Sequence, residues 1–189
     1  ETDAPFHREV MFILERIKQG KNKELVKSIR AEKDKTKRNE LKKKLPSICF
    51  SGTFNKRADS SLVAHSGLIC LDLDGYKKKK DLEEDRAKFK KSKFVYSVFV
   101  SPSGNGLKVL VQIPQEADNH KKYFNALNKH FASPYFDTTS KNVSRVCYES
   151  SDPQLYVNEQ SKIWEKLEED EYQEKHLAQG QPLLKITNE

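Results

Sequence analysis

Leu68-Ile69-Cys70-Leu71-Asp72-Leu73-Asp74-Gly75 is the stretch that decides the fold. Its apolar run reads as a buried strand, and Gly75 turns the chain out of it. Side chains two apart on a strand share a face, so Asp72 and Asp74 stand side by side at the strand end. Clustered carboxylates repel each other and desolvate badly unless a cation or donor compensates. Together the two can grip one metal cluster; the plainer alternative is a strand end with two solvated aspartates.

Further strands read at 48–50, 94–100 and 107–113, then at 143–148 and 155–157. Apolar residues at Phe6, Val10, Ile13, Leu14 and Ile17 recur at helical spacing up to Gly20. A second helix is expected to start after Asn22 and to run through the polar stretch 31–40 until Pro46 ends it. A helix near 117–131 carries Tyr123, Phe124, Leu127 and Phe131 on one stripe. A charged stretch occupies 77–91, and a charged helix is expected near 161–177, with Trp164 packing inward. Strands and helices interleave, yet several strands follow one another closely. That pattern predicts α+β architecture with a mainly antiparallel sheet covered by helices. The expected organisation is a basic helical region at 1–45 packed on the core, a core domain at 46–178 and a flexible tail at 179–189.

The formal charge of +7 is unevenly spread. Between Arg16 and Lys44 thirteen Lys/Arg face only four Asp/Glu, an excess larger than that of the whole chain. Such a block attracts polyanions or is a solvated helical surface. Cys49, Cys70 and Cys147 are odd in number and widely spaced, against a disulfide framework or a zinc cluster. They read as reduced thiols of a cytoplasmic protein. No apolar run approaches the ~20 residues needed to span a bilayer, so no membrane role is expected. The start at Glu1 suggests a segment of a longer protein.

Two further motifs carry chemistry. Ser101-Pro102-Ser103-Gly104-Asn105-Gly106-Leu107-Lys108 is a small-residue loop between two strands. Glycines let backbone N–H groups approach an anion, Ser101 and Ser103 can donate to phosphate oxygens, and Lys108 adds positive charge. The loop is not a P-loop, and taken alone Asn105-Gly106 reads first as a hairpin turn. A hairpin alone does not explain a lysine in so apolar a strand. Farther on, Asp137 could complete a carboxylate triad with Asp72 and Asp74, or cap the turn before Thr138-Thr139. Arg145 could hold a phosphate bidentately, or make a surface ion pair.

In this order the three motifs resemble the archaeo-eukaryotic primase superfamily, the primase-polymerases. The chain looks most like the primase-like domain ahead of virulence-associated protein E type helicases, also met in CRISPR-associated primase-polymerases of mobile elements. The resemblance runs from about Val26 to Asn158, through 45–54, His65-Ser66-Gly67, the Ser-Gly-Asn-Gly-Leu-Lys loop and Ser150-Ser151-Asp152-Pro153. It implies an RRM-like catalytic sheet and a DNA primase or polymerase, a nucleotidyltransferase. By that resemblance Asp72, Asp74 and Asp137 are catalytic ligands of Mg²⁺ or Mn²⁺. Ser101, Ser103, Gly104, Asn105, Gly106, Lys108, Arg145 and, more weakly, Arg57 face the nucleoside triphosphate. Many members of the superfamily carry histidine where Lys108 stands, a departure that changes the phosphate contact from a ring nitrogen to a point charge.

The implied partners are a single-stranded or primed DNA template, nucleoside triphosphates, and a helicase or other domains of a full-length chain. A rival enzyme reading is a haloacid-dehalogenase-type phosphatase, whose nucleophile motif is also a strand ending Asp-x-Asp-Gly. A third reading is a non-catalytic single-stranded nucleic-acid-binding module, which needs aromatic platforms on the sheet.

Overall fold

The computed structural model describes residues 6–168. In chain order its elements are helices α1 (Val10–Gln19), α2 (Lys23–Ala31) and α3 (Lys35–Lys42), then strands β1 (Ser47–Ile48), β2 (Gly52–Phe54), β3 (Leu62–His65) and β4 (Leu68–Leu73). They continue with α4 (Lys79–Lys91), β5 (Val95–Val100), β6 (Leu107–Gln112), α5 (His120–Phe131), β7 (Cys147–Tyr148) and β8 (Tyr156–Val157). The protein is α+β, and every strand pairing is antiparallel.

The main sheet has the order β4-β6-β5-β8. On one face Ile69, Leu71 and Leu73 of β4 and Val109 and Val111 of β6 are buried against Leu82 and Phe89 of α4 and Phe124 and Leu127 of α5. On the other, Phe99 and Leu110 pack with Leu14 and Ile17 of α1, Phe50 and Cys147. Each such fully buried side chain contributes roughly 1.5–3 kcal/mol of transfer free energy. β1 pairs with β7 on this second face, and β2 pairs with β3 as a separate ribbon.

Several expectations are corrected in detail. The second helix breaks at Glu32, whose backbone is extended, and α3 restarts with Asp34 as N-cap, its carboxylate accepting the Lys37 N–H at 2.8 Å. With no apolar side chain to bury between 32 and 40, the helix gains nothing by continuing, and the Asp cap makes a new start cheap. The charged stretch at 77–91 is mostly helix α4, which turns Leu82, Arg86 and Phe89 inward at spacings of four and three. Only Cys147–Tyr148 of the strand expected at 143–148 is a strand; the Arg145 N–H bonds back to the Asn142 carbonyl in a turn. Residues 161–168 are not helical. The N–H groups of Lys162 and Trp164 instead bond the carbonyls of Lys93 and Gln112, and Trp164 is buried in the core. The remainder of the expected helix, to 177, and the expected tail at 179–189 lie outside the described residues.

Two ion pairs, one buried and one half-buried, join distant segments. Arg86 of α4 donates to Asp152 at 2.8 Å and to the Gln154 carbonyl at 2.6 Å, while Asp152 also accepts the Val100 N–H at the end of β5. Arg16 of α1 donates twice to Glu149, each at 3.2 Å, and Asn22 adds a third donor at 2.7 Å. These contacts tie the N-terminal helices and the chain beyond β7 to the sheet.

A pair formed by buried His120 and half-buried His65 adds a pH dependence. His65 Nε2 lies 3.1 Å from His120 Nδ1, and His65 Nδ1 accepts the Gly67 N–H. Burial, with His65 alongside, pushes His120 down to about 4. The unfolded chain, titrating near 6.5, therefore binds the proton more readily than the folded one. This contribution is complete above pH ~6.5 and is lost as the pH falls toward ~4, by an amount on the order of 3 kcal/mol. Urea unfolding at pH 7 and pH 4.5 should show a larger loss for the wild type than for His120→Phe. Equal losses in the two proteins would remove the histidine from the account.

Candidate functional site

The sheet register assembles one polar row. Asp72 pairs directly with Lys108, and Lys108 with Phe99, and directly opposed residues project on the same face. On the outer edge of β4, Leu73 bridges Phe136 in antiparallel sense, so Asp137 lies across from Asp72. The Asp137 N–H donates to the Asp72 carbonyl at 2.8 Å, and the Asp74 N–H to the Tyr135 carbonyl at 2.8 Å. The row thus reads Asp137, Asp72, Lys108, with Asp74 one step beyond the end of β4.

Lys108 is 8% exposed and forms an ion pair with Asp72 Oδ2. Burial opposes its charge, but the Cys147 and Cys70 sulfurs and the Asp72 carboxylate hold it above the ordinary lysine value. Burial also pushes the Asp72 carboxyl above the usual carboxylate range; Lys108 acts against that shift, and Asp74 and Asp137 reinforce it. Asp72 Oδ1 is buried and has no hydrogen-bond partner. A carboxylate with one oxygen on an ammonium and the other vacant, beside two more carboxylates, has capacity for a cation.

The 101–106 loop is folded over this end of the sheet. The Ser101 N–H bonds the Gly106 carbonyl at 2.8 Å, and the Gly104 N–H bonds the Ser101 carbonyl at 2.9 Å. Gly104 has φ +79, and a Cβ on Gly106 would sit 2.5 Å from Asp74 Oδ1 and 2.6 Å from the Leu73 carbonyl oxygen. Glycine is therefore required at 106 so that the loop can lie directly on the carboxylate strand. Arg30 of α2 braces the loop by donating to the Ser101 and Ser151 carbonyls at 3.3 and 3.0 Å. The Ser101 hydroxyl is buried without a partner.

These groups line a cleft of about 350 Å³, which brings together Asp72, Asp74, Ser101, Ser103 and Lys108. Asp137 flanks it: its Oδ1 accepts the Thr139 N–H and hydroxyl at 2.9 and 2.6 Å. Among the described residues no three His, Cys, Asp or Glu groups converge as a ready metal-binding set. Gly104, Asn105 and Gly106 shape the loop but do not line the cleft, and the Asn105 carbonyl accepts the Tyr76 N–H. Arg145 is outside the lining and donates to the Thr139 carbonyl at 2.7 Å, bracing the Asp137 turn. Arg57 is exposed beyond β2, also outside the lining.

Sequence reasoning missed the opposite wall of the cleft. It consists of Asn39, Lys42 and Lys43 at the end of α3 and of Val146, Cys147 and Tyr148. The spacing 39, 42, 43 was a usable signal, since residues three and four apart share a helical face. Its meaning depended on where α3 docks.

Fold and cleft define an α+β domain with a carboxylate and lysine site at the open end of an antiparallel sheet. The model of the family described as BT4734-like, N-terminal domain, matches residues 40–157, well over half of the chain, and the protein belongs to that family. The match begins inside α3 and ends in β8, so it takes in every cleft residue except Asn39. No curated protein and no solved structure matches the chain.

Proposed function

We propose that the cleft is a metal-dependent nucleotidyl-transfer site of the primase-polymerase kind, acting on nucleoside triphosphates and a single-stranded or primed DNA template. The observation that carries this reading is the row Asp137, Asp72, Lys108 with Asp72 Oδ1 unpartnered, facing a serine loop whose Ser101 hydroxyl is also unpartnered. Carboxylate against carboxylate across such a bridge is unfavourable unless a cation compensates. The element order strand, helix, strand, strand, helix, from β4 to α5, with β6 between β4 and β5, supports an RRM-like core. In this chain the fourth strand, β8, adds beside β5.

The donor chemistry, all carboxylate oxygen, suits hard divalent cations: Asp72 Oδ1 and Asp74 line the cleft and Asp137 flanks it, and the three would have to draw together around an ion to ligate it jointly. Mg²⁺ or Mn²⁺ bound there supplies the charge that favours an ionised primer 3′ hydroxyl and a leaving pyrophosphate. Lys108 holds Asp72 in place and adds positive charge where phosphates enter. Ser101 and Ser103 offer hydroxyl donors, and the loop's backbone, held against β4 by Gly106, orients them. The exposed lysines of α3 and α4 give the template's phosphates a basic approach.

Two features weigh against the rivals. A dehalogenase-type phosphatase needs a later apolar strand ending in an acidic pair. Among the described residues the last strands, β7 and β8, are two residues each and are followed by Glu149-Ser150 and Asn158-Glu159. A strand-binding module needs open aromatics on the sheet, but Phe99 is fully buried beneath α1 and Phe50.

Incorporation of nucleotides on primed and unprimed single-stranded DNA with Mg²⁺ or Mn²⁺ tests the proposal directly. Within that assay Lys108→Gln should raise the KM for nucleoside triphosphate about tenfold or more, with little change in template affinity. Arg145→Gln, braced on Thr139, should change the same KM by less than about threefold. An unchanged KM for Lys108→Gln would detach that lysine from the nucleotide.

A further inference from the structure

The basic block between Arg16 and Lys44 is not a uniform surface, because Asn39 and Lys42 of α3, with Lys43 just after it, line the cleft. No residue of α3 is buried in the core. Lys43 closes an ion pair with Glu40 at 2.7 Å along the helix surface. Lys42 differs. It is half-buried, lines the cleft with Asp72, Asp74, Ser101, Ser103 and Lys108, and among the described residues donates no hydrogen bond and closes no ion pair. An unpaired ammonium held partly out of water beside carboxylates and the unpartnered Ser101 hydroxyl is costly without an anion to receive it.

Resting on the reading of the cleft as a nucleotide site, we propose that Lys42 binds the triphosphate of the incoming nucleotide, with α3 as the wall of the cleft opposite Asp72 and Asp74. Two lysines then bracket the polyphosphate: Lys108 from the sheet, locked to Asp72, and Lys42 from α3, which rests on α2 through Leu41. The division of labour along α3 follows from exposure. Lys35 and Lys37 face solvent and serve a long polyanion, whereas Lys42 serves a compact one.

The test is equilibrium binding to the whole chain in the presence of Mn²⁺, with dATP, dAMP, inorganic tripolyphosphate and a single-stranded oligonucleotide as probes. Lys42→Gln should weaken dATP and tripolyphosphate about tenfold, change dAMP by less than about twofold, and leave the oligonucleotide unaffected. Lys42→Arg should restore most of the loss. Lys37→Gln should do the reverse, weakening only the oligonucleotide. If the wild type binds dATP and Lys42→Gln binds it equally well, the assignment of Lys42 fails and the nucleotide site stands. If Lys42→Gln weakens the oligonucleotide and spares the triphosphates, Lys42 belongs to the template path and the assignment again fails. If the wild type binds neither dATP nor tripolyphosphate, the nucleotide reading itself falls, and this inference with it.

Discussion

Asp74→Asn is expected to lower nucleotide incorporation by at least about a thousandfold, near 4 kcal/mol of transition-state stabilisation, while leaving the melting temperature almost unchanged. The separation of the two effects follows from where Asp74 stands. It is exposed at the end of β4, and its carboxylate makes no hydrogen bond within the described residues. Surface substitutions of that kind usually cost within about 0.5 kcal/mol of stability. Asp72→Asn should be equally inactive but less simple, because Lys108 is buried against that carboxylate and would keep only a neutral acceptor. Thermal unfolding and incorporation measured on the same preparations separate loss of chemistry from loss of fold. A folded Asp74→Asn protein with wild-type incorporation would show that the carboxylates serve the strand end and not a reaction.

The second large effect concerns stability. Asp152→Ala should destabilise the domain by about 3 kcal/mol, since it leaves the Arg86 guanidinium buried with only the half-exposed Glu83 carboxylate, 3.9 Å away, as counter-charge. The Val100 N–H, which reports directly on the end of β5 and the start of the Ser101 loop, loses its acceptor in the same substitution. Arg86→Met with Asp152→Leu should recover much of that loss, because removing both charges removes the uncompensated one. Urea denaturation of the three proteins at neutral pH checks the pair. A loss below about 1 kcal/mol in Asp152→Ala would mean that water reaches the arginine.

The candidate site was legible where it sat on one strand and one loop. Asp72 and Asp74 share a face by strand periodicity alone, and Lys108 stood out as a charge in an apolar strand; both lie in the cleft. The α+β class and the antiparallel pairing were legible for the same reason, in the short spacing of apolar runs. Long-range partnerships were not. Arg86 hid α4 because a buried arginine on the inward stripe reads as one more surface charge until Asp152, 66 residues away, is known to meet it. The β2 and β3 ribbon escaped notice because it is only partly buried, so its residues do not alternate cleanly. The wall formed by Asn39 and Lys42 depended on the break at Glu32, which sets the direction of α3. Arg145 carried a charge of the right kind, but the turn at Asn142 directs it to Thr139.

The measurement that bears most directly on the central claim is the phosphorus product released from a γ-labelled deoxynucleoside triphosphate by the wild-type chain with primed single-stranded DNA and Mn²⁺. Nucleotidyl transfer at the Asp72 and Asp74 cleft predicts labelled pyrophosphate in step with primer growth, both dependent on metal and both absent in Asp74→Asn. Labelled orthophosphate without primer growth, or no release at all under conditions where the chain is folded and metal is present, would contradict it.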